Sequence, residues 1–144
     1  MTAPLAHPAA VLLPVLAHMA LVLGLYAWLT VARTMAVRRG TVGYGAYEFA
    51  GHEPPRVARI SRNLLNQFEL PVFYYAGVLA LLQLGAASAL DVWLGWLFVA
   101  GRVLHTGVQT LTGNVALRGA VFTVNAVAVF GILAHLAHAV LQAL

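Results

Sequence analysis

Cysteine and lysine are both absent from the chain. Without cysteine there is no disulfide, no thiolate nucleophile and no thiolate metal ligand, so any thiol chemistry must use a thiol brought in by a substrate. Charge is scarce as well. Only 8% of the 144 residues are charged, four acidic residues against eight arginines, for a formal charge of +4. An ordinary soluble domain carries about 25%. So little polar surface excludes a water-soluble globule of this size. The arginines form no dense run, which argues against nucleic acid as a partner. There is also no glycine-rich phosphate loop, no paired zinc motif and no Ser-His-Asp arrangement.

What the chain does have is apolar length. Hydrophobic residues make up 62% of it, and the mean hydropathy is +0.87. A bilayer-spanning helix needs roughly 20 predominantly apolar residues. Four stretches qualify, at about 9–32, 60–84, 92–111 and 117–141. The expected fold is therefore all-α: one domain, an integral membrane four-helix bundle in contact with lipid on its outside. No basic residue precedes the first stretch, so it is read as a retained span and not as a cleavable signal. Pro14 near its start is tolerable, and Tyr26 and Trp28 sit near its end, as interfacial aromatics do. Pro71 falls inside the second stretch and predicts a kink. Asp91 suits the start of the third helix, where the dipole favours a carboxylate. Gly85–Ser88 and Thr112–Asn114 read as short turns. The longest connection, from Arg33 to Arg59, ends in Pro54–Pro55 and is the place for ligand contacts outside the helices.

Orientation follows from the arginines. Six of the eight lie between Arg33 and Arg62, and Arg118 lies in the third connection. The positive-inside rule places those two connections in the cytoplasm and both termini outside it. Arg38 and Arg39 then set topology and meet lipid headgroups.

Ionisable residues within spans are costly and usually face a bundle interior. Here they recur at helical spacing. Arg59, Arg62, Asn66 and Glu69 share one face, as do Arg102, His105 and Gln109, and as do Arg118, Phe122 and Asn125. At 1.5 Å per residue, Glu69 and Arg102 come to similar depth and are expected to pair or share a network. Arg62, Gln109 and Arg118 would gather nearer the cytoplasmic mouth. The result would be a cationic pocket suited to an anionic, carboxylate-bearing small molecule. The Glu69–Arg102 contact reads equally as helix glue, and Arg118 equally as a positive-inside residue. His135 and His138 read as outer-interface residues, with no third ligand to make a metal site, and His18 reads as a hydrogen-bonder.

The segment Arg59-Ile-Ser-Arg62-Asn-Leu-Leu-Asn66-Gln-Phe-Glu69-Leu-Pro71-Val-Phe-Tyr74 resembles the signature of the MAPEG family, the membrane-associated proteins in eicosanoid and glutathione metabolism. Arg62, Asn66, Glu69 and Pro71 match its pattern. Arg102-Val-Leu-His105, with Gly113-Asn114 and Leu117-Arg118, is similar to the family's bacterial branch. The resemblance implies a homotrimer, in a bacterial inner membrane, with glutathione bound as co-substrate between subunits near the cytoplasmic side. It implies that Arg62, Asn66, Glu69, Arg102, His105 and Gln109 bind glutathione and that Arg118 is the catalytic residue stabilising the thiolate. No metal is implied. Gln109 departs from the tyrosine that many members carry there, and the turn before Arg118 is longer than in the eicosanoid enzymes. The function expected is a glutathione-dependent transferase or peroxidase acting on a small hydrophobic electrophile. The alternative is a non-catalytic scaffold or lipid-binding protein of the same fold. A transporter is disfavoured, because one acid–base pair offers no continuous polar path.

Overall fold

The computed structural model describes residues 6–48 and 51–144. These residues form five α-helices and one short 3-10 turn: α1 (Pro8–Arg38), the turn at Tyr44–Tyr47, α2 (Pro55–Leu65), α3 (Leu70–Gln83), α4 (Ala89–Leu111) and α5 (Val115–Gln142). α1 and α5 are long and apolar enough to cross a bilayer. At 31 residues, α1 is about 46 Å long, so it outruns the expected end at 32 and carries Arg33 and Arg38 past the apolar zone. α4 has 23 residues but turns Asp91, Arg102, His105 and Gln109 inward, which lowers its apolar character.

The helix ends follow local chemistry. Pro8 opens α1 without sacrificing a needed N–H. Gly40, at φ 69°, lets Thr41 N–H reach Ala36 O and Gly40 N–H reach Val37 O, a Schellman closure. Gly85, at φ 62°, ends α3 the same way through Ala86 N–H to Leu81 O. The Gly85–Ser88 turn is thus as expected from the sequence. Asp91 caps α4 in a reciprocal box with Ser88, its Oδ2 accepting from Ser88 N–H at 2.7 Å. Asn114 Oδ1 accepts from Leu117 N–H at 2.9 Å and starts α5.

The second expected span differs. It is two helices, with residues 66–69 as a non-helical break between them. Pro71 is the physical reason. It has no N–H for the Gln67 carbonyl, and its ring would crowd that carbonyl in a continuous helix. Pro71 therefore stands in the first turn of α3 instead of kinking the middle of one long helix. Asn66 becomes the residue capping α2, and Glu69 the residue leading into α3.

α4 packs on α5, α1 and α2, while α3 packs on α5 and α1. Two apolar cores result. One joins Val11 and Val15 of α1 to Tyr74, Val78, Phe98, Val129 and Ile132. The other joins Val22, Leu25 and Leu29 of α1 to Val57, Ile60 and Leu64 of α2. His18 lies between these two sets on α1 and begins a buried polar layer that separates them. The outer surface is apolar: Leu23, Trp93, Leu104 and Phe130 are all more than half exposed. In water such a surface would aggregate; against lipid it is the expected exterior.

Candidate functional site

At the α2–α4–α5 end of the bundle two clefts adjoin. The larger, about 580 Å³, is walled by α2, the α4–α5 turn and the first connection, with Arg33, Glu53, Arg59, Arg62, Gln109 and Arg118 among its lining. The smaller, about 360 Å³, is lined by Arg62, Asn66, His105, Gln109 and Arg118, with Val115, Gly119 and Phe122 as an apolar wall on α5. Arg62, Gln109 and Arg118 belong to both. Five of the seven residues singled out in the sequence thus meet at one place, brought there by three helices.

Gln109 and Arg118 are tied directly. Arg118 Nη1 donates to Gln109 Oε1 at 3.1 Å. Gln109 is buried on the α4 wall of both clefts, so this bond draws the half-buried guanidinium toward that wall. The three-residue turn 112–114 makes this possible by reversing α4 into α5 close to both residues. His105 is also buried, packs edge-on to Phe122 with ring centroids 6.4 Å apart, and has an Nδ1 without a partner among the described residues. A buried, unsatisfied ring nitrogen on a cleft wall is a group with hydrogen-bonding capacity to spare.

Glu69 and Arg102 do not pair. Glu69 is exposed at the entry to α3. Arg102 is fully buried, its guanidinium lies over the Phe98 ring at 5.4 Å, and none of its three side-chain nitrogens has a hydrogen-bond partner among the described residues. Neither residue lines either cleft. The break at 66–69 explains the difference, because it removes Glu69 from the helical face that carries Arg59 and Arg62. Asn125, on the expected α5 stripe, is buried but turned away from the clefts. Its Nδ2 donates back to Val121 O at 3.2 Å, and its Oδ1 abuts Gly101.

Three clusters escape a reading of the sequence. Arg33 pairs with Glu53 through Nη2 and Oε1 and stacks over the Tyr47 ring at 5.0 Å. Tyr47 Oη in turn donates to Arg33 O at 3.2 Å, so the first connection is pinned to α1 beside the larger cleft. His135 is no free interfacial residue: its Nδ1 meets Asp91 Oδ1 at 2.8 Å and joins α5 to the cap of α4. His18, Gln67, Asn63 and Thr106 form a buried hydrogen-bonded chain. His18 was the only one of the four with a sequence signal, as the main polar interruption of the first apolar run.

The lipid-facing exterior and the arginine-lined cleft at one end of the bundle together define a helical membrane protein with an open polar site. The family model described as the MAPEG family matches residues 11–138. The chain belongs to the MAPEG family. No curated protein and no solved structure matches it.

Proposed function

We propose that this protein is a glutathione-dependent membrane enzyme, of transferase or peroxidase type, that uses a small hydrophobic electrophile drawn from the bilayer. In this reading it crosses the bacterial inner membrane four times, with α2 and α3 together making one crossing. It works as a homotrimer with its termini outside the cytoplasm. The observation that carries the proposal is the convergence of Arg62, Asn66, His105, Gln109 and Arg118 on joined clefts, with Arg118 held by Gln109.

The fit to glutathione rests on charge, size and unsatisfied groups. Clefts of about 580 and 360 Å³ lie in the range of small-molecule sites. Arg62 and Arg118, with Arg59 at the rim, are permanent cations suited to two carboxylates, and guanidinium binds carboxylate in a two-pronged fashion. Asn66 and His105 Nδ1 supply neutral hydrogen bonds for a peptide backbone. Glutathione supplies the thiol that this cysteine-free chain lacks. Arg118 stabilises the negative charge on sulfur as the thiol proton leaves, without giving up a proton of its own. Gln109 keeps that guanidinium from swinging away. Val115, Gly119 and Phe122 offer the apolar wall for the second substrate. Glu69, exposed on a single chain, is free to meet a neighbouring copy in the trimer.

Isothermal titration of the detergent-purified protein with glutathione, together with ultraviolet thiolate absorbance, tests the reading. Heat of binding and a thiolate band that disappears in Arg118→Ala would support it. No binding at millimolar glutathione would rule it out.

A further inference from the structure

Behind the cleft, facing the bundle interior, runs a chain of neutral polar side chains. His18 Nε2 donates to Gln67 Oε1 at 3.0 Å. Gln67 Nε2 donates to Asn63 O at 3.1 Å and lies 3.3 Å from Asn63 Oδ1. Asn63 Nδ2 donates to Thr106 Oγ1 at 3.2 Å. With its proton on Nε2, His18 presents Nδ1 to the Tyr75 hydroxyl, 2.5 Å away. His18, Gln67 and Asn63 are buried to 1% exposure or less, and the chain links α1, α2, α3, α4 and the break between α2 and α3.

Its members alternate with cleft residues along the sequence. Arg62 lines the cleft and Asn63 is in the chain. Asn66 lines the cleft and Gln67 is in the chain. His105 lines the cleft and Thr106 is in the chain. Three times, adjacent residues look one inward and one outward. The inner member of each pair is locked to another helix, so the outer member has its backbone fixed in place. This matters most at 66–69, where the α-helical ladder gives way to the shorter turns Gln67 N–H to Leu64 O and Phe68 N–H to Leu65 O, and where Pro71 leaves the Gln67 carbonyl without an N–H to meet. Gln67 is the only buried side chain within that break.

We infer that Gln67 is a positioning residue: through His18 on one side and Asn63 on the other it fixes the α2–α3 break, and thereby sets where Arg62 and Asn66 stand in the cleft. The inference rests on the cleft being the ligand site proposed above. A buried amide with both ends used holds geometry in a way an apolar residue of equal size cannot, because leaving any partner unsatisfied is unfavourable.

The test uses the full-length protein in detergent with Gln67→Leu, and with Thr106→Val as a milder variant that keeps the side-chain shape and removes only the acceptor for Asn63. Tyr74→Phe serves as a control in the apolar core around Val78 and Phe98. Two quantities are read: amide hydrogen exchange over residues 62–70, which needs no ligand, and glutathione affinity by titration. Gln67→Leu is expected to raise exchange over 62–70 by tenfold or more and to weaken glutathione binding about tenfold, with the number of sites per chain unchanged. Thr106→Val moves both in the same direction by less, and Tyr74→Phe moves neither. Unchanged exchange in Gln67→Leu overturns the inference whether or not glutathione binds. So does a variant whose site number falls while its affinity stays at the wild-type value, since that is loss of folded protein alone. Should Gln67→Leu not fold, Thr106→Val decides: unchanged exchange and affinity overturn the inference. Wild-type protein that binds no glutathione, with exchange raised in the variants, overturns the proposed ligand and leaves Gln67 as the residue that fixes the break.

Discussion

Arg118 and Gln109 meet through one hydrogen bond, Nη1 to Oε1 at 3.1 Å, across the turn that joins α4 to α5. The pairing converts a cation near a helix start, which could have served topology alone, into one with a fixed aim. An arginine merely satisfying the positive-inside rule has no need of a buried amide to hold it. The pair also offers a clean separation of roles, because one member carries charge and the other carries only orientation.

Arg118→Ala is expected to lower turnover of a model electrophile by a hundredfold or more while leaving assembly and helicity intact. The residue is only half buried, and the Gln109 oxygen it leaves faces the open cleft, where water replaces the lost bond, so stability shifts by about 1 kcal/mol or less. Stopped-flow turnover alongside size-exclusion chromatography checks this. Normal turnover in an intact assembly would favour the non-catalytic scaffold. Gln109→Leu should sit between, with the arginine present but unaimed: turnover reduced about tenfold, and the thiolate band weakened without being lost.

The close approach of α4 and α5 gives a second expectation. A Cβ on Gly101 would lie 2.7 Å from Asn125 Oδ1, whereas one on Gly119 meets nothing within 4 Å. Gly101→Ala should therefore displace the buried Asn125 side chain, strain its bond to Val121 O and cost about 1–3 kcal/mol. Gly119→Ala should leave stability unchanged or raise it by about 0.5–1 kcal/mol through helix propensity. Thermal unfolding of the two variants side by side reads the contrast, and equal midpoints would contradict the packing described.

Much of this architecture is written in local signals. The Ser88–Asp91 cap, the glycine at 85 and Asn114 before α5 are short-range chemistry, and each marks a helix end that the structure contains. The five cleft residues were legible because helical spacing groups them and intramembrane polarity makes them conspicuous. The broken second helix was only half legible. Pro71 announces a disturbance, but the 3-4-3 spacing of Arg59, Arg62, Asn66 and Glu69 looks like one unbroken face. Periodicity alone cannot say which of a proline and a stripe prevails. Gln67 gave no signal because it is a neutral residue off the stripe. The Asp91–His135 contact spans 44 positions, and long-range pairs of this kind depend on helix packing that no local pattern encodes.

The first connection should loosen when its ion pair is removed. Glu53→Ala removes both the charge and the acceptor opposite Arg33, leaving the Tyr47 hydroxyl bond and the stacked ring as the remaining ties. Arg33 is about a third exposed, so the pair is worth about 1 kcal/mol or less and global unfolding should hardly move. Limited proteolysis in the 41–53 connection should instead quicken several-fold. An unchanged cleavage rate would mean that Tyr47 alone holds the segment.

Arg102 makes the sharpest demand on the fold. Its guanidinium is fully buried, lies over Phe98 and finds no hydrogen-bond partner among the described residues. A cation in that state is destabilising, and the face of one ring offsets little of the lost hydration. If no neighbouring copy supplies an acceptor, Arg102→Met must raise the unfolding midpoint, because it replaces an unpaired buried charge with an apolar side chain of similar length. The single-chain geometry leads to that expectation, and it also expects glutathione affinity within about threefold of wild type, since Arg102 lines neither cleft. A midpoint that falls would show that Glu69 or another acceptor reaches Arg102 once the subunits associate. Repeating the measurement in Glu69→Gln would then tell the two apart: if Glu69 is that acceptor, the single variants lower the midpoint alike and the double variant adds nothing further.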